Sequence, residues 1–360
     1  MTRQPWHDVA EVFALPVLAM AGALLLFGVF VWLGGFDPLA VWTLLFVGAF
    51  GDSFSWQNTL QRSAPLMLTA LTVALPARAG LTIIGGEGAL VLGGLACAGL
   101  PYLMPLPGGV VGTGMLLLAS ALVGAVWISL AGALRQYRGV NETISSLLLS
   151  YIAIALFKHW VEGAMRDPAS LNKPSTLPIA ESLRIGGMWG YDVHWGLAWG
   201  VVLCILAALW LSYSTHGFAT RVVGGNARAA RLVGLPTNRL IITACAIGGA
   251  AAGLAGGIEV AAVHTNANAS LIAGLGYAGI LVSFVARHQP LAIIPVAILF
   301  GGFGAAGSLL QRRLGLPDAS VQVLLGFAFV LILASEALRG RLLPFSFLPQ
   351  RAPIPTVKAA

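Results

Sequence analysis

The sequence predicts an all-α polytopic membrane protein, and three observations carry that reading. The mean hydropathy is +0.87. Apolar residues make up 58% of the chain and charged ones 9%, where an average soluble domain is about a quarter charged. The run 88–134 holds no Asp, Glu, Lys or Arg; about 20 apolar residues cross a bilayer, so this run is long enough for two crossings. The 360 residues therefore suit about ten spans, within a range of about eight to ten. They form one transmembrane domain, 1–340, with a cytoplasmic tail at 341–360.

Spans are long uncharged runs closed by charge, Pro or Gly. The first is 13–33, which is too long for a signal-peptide core and shows no small-residue cleavage site. The piece 39–50 between Asp37 and Asp52 is too short to cross and reads as interfacial or re-entrant. The second span is 64–79, with Arg78 at its end. Pro101, Pro105, Pro107, Gly108 and Gly109 divide the 88–134 run into spans three and four. The fifth span is 143–157, and a polar extracytoplasmic loop follows over 158–194. Spans six, seven, eight, nine and ten fall at 195–213, 240–263, 276–286, 291–310 and 319–338.

With the N-terminus inside and ten spans threaded, 13 of the 20 basic residues lie in inside segments and 7 outside. This Lys/Arg bias puts both termini in the cytoplasm. Reading 276–286 as re-entrant gives nine spans and moves the tail outside. Ten spans would also allow two five-helix halves of opposite topology, an inverted repeat. A net charge of +7 reflects these loop cations and gives no reason to expect nucleic acid.

The function classes that the motifs exclude are broad. The six histidines are scattered, with no HExxH, no paired carboxylates and no GxSxG, so neither a metal site nor a catalytic constellation is expected. No Walker A sequence is present, so ATP must be bound by another chain. Cys97, Cys204 and Cys245 sit in apolar runs without a CxxC pair and read as small buried hydrophobes. The string Gly274–Gly279 fits GxGxxG, but no strand precedes it, and it reads as a helix break within the membrane.

Polar groups within spans are the functional candidates. Glu87, in Gly85-Gly86-Glu87-Gly88, reads equally as an N-terminal cap or as a path residue. Glu259 lies near the outer end of span seven, where it either lines a path or reaches the interface. Glu336, three residues before Arg339, reads as half of an ion pair. In span seven, Gly249, Gly253 and Gly257 recur every fourth residue and share one helix face, where a second backbone can approach closely. The cluster suits a bundle whose helices slide or rock.

The loop 214–239 carries four arginines and no acid. Within it 227–233 reads as a short helix, with Asn226 as N-cap and Gly234 and Pro236 as the stop. Arg228 and Arg231 share a face by the i, i+3 rule, beside Leu232 and Val233. A capped basic helix with an apolar edge is a docking element for a cytoplasmic partner.

The segment 220–235 resembles the cytoplasmic coupling segment of ATP-binding-cassette (ABC) importer permeases of the branched-chain amino acid and simple-sugar class, most closely the nucleoside (purine-type) permeases. Three stretches are similar to the same family: 79–88 with its glycine-x-glutamate-glycine motif, 140–152 with Asn141-Glu142, and 276–291 with Arg287-His288-Gln289-Pro290. The sequence departs from the family at Ile83, where Asn is usual, and Ala89, where Gln is usual. The resemblance implies a half-transporter of a bacterial inner membrane. It implies a second permease, identical or homologous, two ATPase subunits that hold ATP and Mg, and an extracytoplasmic solute-binding protein. It places Glu87, Asn141, Glu142 and Glu259 near the solute path or its gates, and Arg221, Asn226, Arg228 and Arg231 against the ATPase. The solute would be nucleoside- or purine-like, with simple sugars and branched-chain amino acids as alternatives. The rival mechanism is a proton-coupled secondary transporter with Glu259 as carrier.

Overall fold

In the computed structural model of the protein, residues 5–338 are described. The helices run in order α1 (Pro5–Leu33), α2 (Pro38–Phe50), α3 (Ser53–Arg78), α4 (Gly86–Leu103), α5 (Val110–Arg138), α6 (Glu142–Glu162), α7 (Gly196–Tyr213), α8 (Thr215–Gly225), α9 (Ala227–Leu232), α10 (Thr237–Ile258), α11 (Leu275–Val285), α12 (Pro290–Leu314) and α13 (Ala319–Leu338). Among the described residues β structure is limited to three isolated bridges, all involving the 163–195 loop. The tail 341–360 and Arg339, the expected partner of Glu336, lie outside the described residues.

Among the described residues eight helices are long and apolar enough to cross a bilayer, and nine crossings result if the bent pair α2–α3 counts as one. The short piece expected at 39–50 is α2, bent 78° from α3. Asp37 caps α2 through the amide of Leu39 at 3.0 Å, and Asp52 caps α3 through the amide of Ser55 at 2.6 Å. α3 starts well before the expected 64, and one face of its polar front is buried at Ser55, Thr59 and Ser63: Thr59 donates to the Ala49 carbonyl at 2.7 Å, and Ser63 lies against Gly301.

The expected eighth span is only the eleven-residue α11. At about 1.5 Å per residue it covers about 16 Å, half of a hydrocarbon core about 30 Å thick. It does not cross as a helix. The chain nevertheless changes ends between α10 and α12. The segment after α10 is stitched to the long loop by Ile185 N to Ala261 O at 2.9 Å and Thr176 N to Ala267 O at 3.0 Å. Just before α12, the His288 carbonyl accepts from Arg78 Nε at 3.0 Å, and Arg78 backs onto Gly224 of α8. The return is thus half irregular chain and half helix.

α3 and α10 cross at the centre, where Thr72 donates to the Gly248 carbonyl at 2.8 Å. α3 also packs on α11 and α12, while α10 packs on α4 and α5. The two helices that follow α10 thus pack on α3 as the two that follow α3 pack on α10, a reciprocal pattern. α1 and α7 break it, since α1 lies on α13 and α7 on α3. Outward faces carry large apolar side chains, among them Val126, Leu206 and Val330 at 62%, 52% and 63% exposure, as a lipid-facing bundle requires. The three cysteines are buried and unpaired, as expected.

Two histidines outside the spans are shielded from water: His194 before α7 is buried, and His288 before α12 is half-buried. Burial pushes His194 down to about 4, and neither of its ring nitrogens has a hydrogen-bond partner. Burial, helped by Arg78 and opposed by Glu336, pushes His288 to about 4 as well. Both are neutral in the folded protein near pH 7. The unfolded chain binds their protons near the ordinary 6.5. Stability is therefore complete above that value and falls as pH drops toward about 4. Thermal unfolding in detergent at pH 5 should show a loss on the order of 1–2 kcal/mol per histidine relative to pH 7.5, and His194→Gln should remove about half of the combined loss.

Candidate functional site

At the middle of the bundle two helix N-termini meet. α4 opens at Gly86 after the irregular stretch 79–85, in which Leu81 and Ile83 are buried, and α11 opens at Leu275 after Gly274, whose φ of +79° suits glycine. Glu87 joins them. Its carboxylate accepts from the Gly274 amide at 2.8 Å and the Gly276 amide at 2.6 Å. Glu87 is fully buried. It therefore does cap a helix, but the cap is on α11 rather than on its own α4. Satisfying two orphan amides with one carboxylate is a charge-assisted arrangement at the positive end of a helix dipole.

The surroundings fix this junction from both sides. Thr69 of α3 donates to the Leu275 carbonyl at 3.2 Å, and Gly279 packs on Thr69. From α6, Ser146 accepts from the Ile84 amide at 3.1 Å, and Ser150 accepts from the Gly88 amide at 3.3 Å. Thr143 donates to the Thr82 carbonyl at 2.9 Å. Sequence reasoning stopped at Asn141-Glu142 and missed Ser146 and Ser150, although an i, i+4 pair of serines in an apolar helix is a readable signal.

The other expected path residues do not gather here. Asn141 is the N-cap of α6, accepting from Thr143 and Ile144 at 3.0 and 3.1 Å. Glu142 lies 3.3 Å from Arg135 at the turn between α5 and α6. Both therefore serve the local turn at the α9 end of the bundle. Glu259 sits at the opposite end, buried in a π-helical turn that continues α10, with Oε2 3.6 Å from His264 Nε2. Such π turns are frequent at functional sites. Ile83 and Ala89 are fully buried in an apolar cluster with Leu81 and Ile128. Among the described residues no cluster of His, Cys, Asp and Glu could hold a metal.

Gly249, Gly253 and Gly257 all face α5. A β-carbon on Gly249 would meet the Gly124 backbone, one on Gly253 the Ser120 carbonyl, and one on Gly257 the Ser120 side chain. Gly93 of α4 points at Gly253 in the same way, and Gly256 at Leu90 and Gly94. α10 is thus wedged between α4 and α5 at backbone contact, the packing that small residues permit in lipid.

At the other extreme, α9 is a capped, exposed helix. Asn226 accepts from the amides of Arg228 and Ala229, both at 3.0 Å. The stop is a complete Schellman motif: Gly234 (φ +83°) donates to the Arg231 carbonyl and Leu235 to the Ala230 carbonyl, each at 3.0 Å. Arg231 Nε is held on Thr237 at 3.1 Å, while Arg221 and Arg228 are exposed. Leu232 and Val233 are 89% and 73% exposed. Ala230 is buried, and its apolar cluster also holds Ala79 and Leu81. α8 meets the same stretch, since Gly224 packs on Arg78 and on Gly80, whose φ is +83°. An unbroken contact path therefore links α9 through Gly80 and the 81–85 stretch to Glu87 and α11.

Residues 55–333 match the family described as branched-chain amino acid transport system / permease component. The glucose ABC transporter permease protein TsgB13 of Haloferax volcanii is 30% identical over 90% of this chain and 88% of its own. The guanosine ABC transporter permease protein NupP of Bacillus subtilis is 26% identical, covering 94% and 97%. A second guanosine ABC transporter permease protein of that organism, NupQ, is 24% identical, covering 79% and 91%. The chain belongs to the branched-chain amino acid transport system permease family and is a multi-pass ABC transporter permease.

Proposed function

We propose that this chain forms the translocation path of an importer for a nucleoside- or purine-like solute, moved by alternating access and powered by separate ATPase subunits that dock on α9. The observation that carries this reading is the contact path from α9 to the Glu87 junction. A push on a rigid, doubly capped helix would be transmitted through Gly224 and Gly80 to the break where α4 and α11 face each other. Two helix N-termini facing each other at a break inside the bundle are an element of the kind that alternating access uses.

The guanosine relatives NupP and NupQ support the nucleoside reading, and their occurrence as two permease proteins in one organism supports a second permease beside this one. TsgB13 supports the alternative, a simple sugar. A solute-binding protein on the 163–195 side and an inner-membrane location with α9 in the cytoplasm complete the proposal. The test is charge reversal. In membranes that also contain the ATPase and the second permease, Arg228→Glu with Arg231→Glu should lower ATP-dependent uptake at least about tenfold, since like charge across an interface costs several kcal/mol. The same variant should no longer retain the ATPase on purification. Unchanged uptake and retained ATPase would refute docking at α9.

A further inference from the structure

Two cavities on the surface of this bundle have no role in the reading above. One, about 530 Å³, opens at the α9 end and is lined by Gln136 and Tyr137 of α5, by Arg231, and by Thr237, Asn238 and Arg239 at the start of α10. Its lining contains two cations and no carboxylate. The nearby Glu142 is paired with Arg135. The hydrogen bond to Thr237 holds the Arg231 guanidinium at the rim. The other cavity, about 300 Å³, lies further along α10 and is walled by apolar side chains of α3, α7 and α10, including Leu75, Leu206, Trp210, Ile247 and Leu254, with Ala121 of α5.

The two share one face of α10. On α10, Arg239, Thr243, Ile247, Ala250 and Leu254 follow i, i+4 and i, i+3 steps along a single face, and all are exposed or half-buried. On α5, Gln136, Ser129, Ala125 and Ala121 make the matching half-buried edge. From Arg239 to Leu254 the helix rises about 22 Å, which exceeds the roughly 15 Å of one leaflet. The groove along this face is therefore basic and polar at the membrane boundary and apolar inside the bilayer.

We propose that the groove holds a phospholipid with an anionic headgroup, its phosphate between Arg231 and Arg239 and one acyl chain along Ile247, Ala250 and Leu254. Basic recesses between spans at a membrane surface recognise such headgroups, and the apolar continuation distinguishes a lipid from a free phosphate. This site shares Arg231 with the proposed docking helix but needs only a bilayer-embedded chain, and its test turns on Arg239 and Ala250.

The test is native mass spectrometry of the purified full chain with phosphatidylglycerol and phosphatidylcholine of identical acyl chains, with inorganic phosphate as a third ligand. The wild type should retain phosphatidylglycerol about fivefold or more over phosphatidylcholine, and Arg239→Gln should remove most of that preference. Ala250→Phe, which fills the groove, should lower retention of both lipids. Arg239→Lys, which keeps the charge, should preserve the preference and guards against a folding artefact. Equal retention of the two lipids by the wild type would overturn the proposal. So would an unchanged preference in Arg239→Gln, or displacement of phosphatidylglycerol by millimolar inorganic phosphate.

Discussion

Gly253→Val should leave almost no folded protein in the membrane. The position has backbone on two sides: the Ser120 carbonyl and Gly124 of α5 meet any β-carbon placed there, and Gly93 of α4 closes the other flank. Side chains can rotate out of the way, but backbones of packed helices can only move apart. Overpacking typically costs about 1–3 kcal/mol, and with no side chain to yield the effect should reach at least the top of that range. Separating α10 from α4 and α5 also removes the wedge on which the bundle is built. Purified yield and the thermal-unfolding midpoint measure the loss. Gly326→Val, where nothing lies within 4 Å of the added β-carbon, is the control and should behave like the wild type.

The second large effect concerns Glu87. Glu87→Ala strands the amides of Gly274 and Gly276, both inside the bundle, and removes the only tie between the starts of α4 and α11 that comes from a side-chain carboxylate among the described residues. Hydrogen bonds to a charged group contribute about 1.5–3 kcal/mol each, so the loss should be about 3–5 kcal/mol. Glu87→Gln is the informative partner. Its oxygen still accepts from one amide, but its NH₂ group faces the other as a second donor. It should therefore fold better than Glu87→Ala and still transport poorly. If Glu87→Gln instead transported at the wild-type rate, the junction would not need a double acceptor. Uptake by reconstituted complex, normalised to folded protein, separates the two variants.

These two sites were legible to different degrees for a physical reason. The glycine spacing of α10 is a local pattern of one helix, so the shared face of Gly249, Gly253 and Gly257 could be read directly, and so could the Asn226 and Gly234 caps of α9. What each face meets is a long-range fact. Glu87 was recognised as a capping candidate, but its partners lie far away at Gly274 and Gly276, and no periodicity connects them. α3 was placed too short because its first turns, 53–63, look like a polar loop. Their hydroxyls are buried against α2 and α12, as Thr59 and Ser63 show. That the described residues hold eight or nine full-length helices, within the expected eight to ten but short of ten, has a related reason. Hydropathy cannot tell a half-length helix preceded by irregular chain from a complete one. Buried protein can satisfy such backbone where lipid cannot, and around α11 the carboxylate of Glu87 and the hydroxyl of Thr69 do so.

Asn141 and Glu142 teach a complementary lesson. Their spacing draws attention, and in the structure they cap and pair at the turn between α5 and α6. The serines one and two turns further on, Ser146 and Ser150, are the members of that segment which reach the central junction.

The central claim is that this chain is a passive gate, driven from outside itself through α9. The most direct measurement is solute accumulation in proteoliposomes, comparing the chain alone with the chain reconstituted beside its ATPase and partner permease, each with and without internal and external ATP and an imposed proton gradient. The account predicts accumulation only in the complete assembly, only with ATP on the α9 side, and insensitivity to an uncoupler. Accumulation by the chain alone, driven by the proton gradient and abolished by the uncoupler, would contradict it.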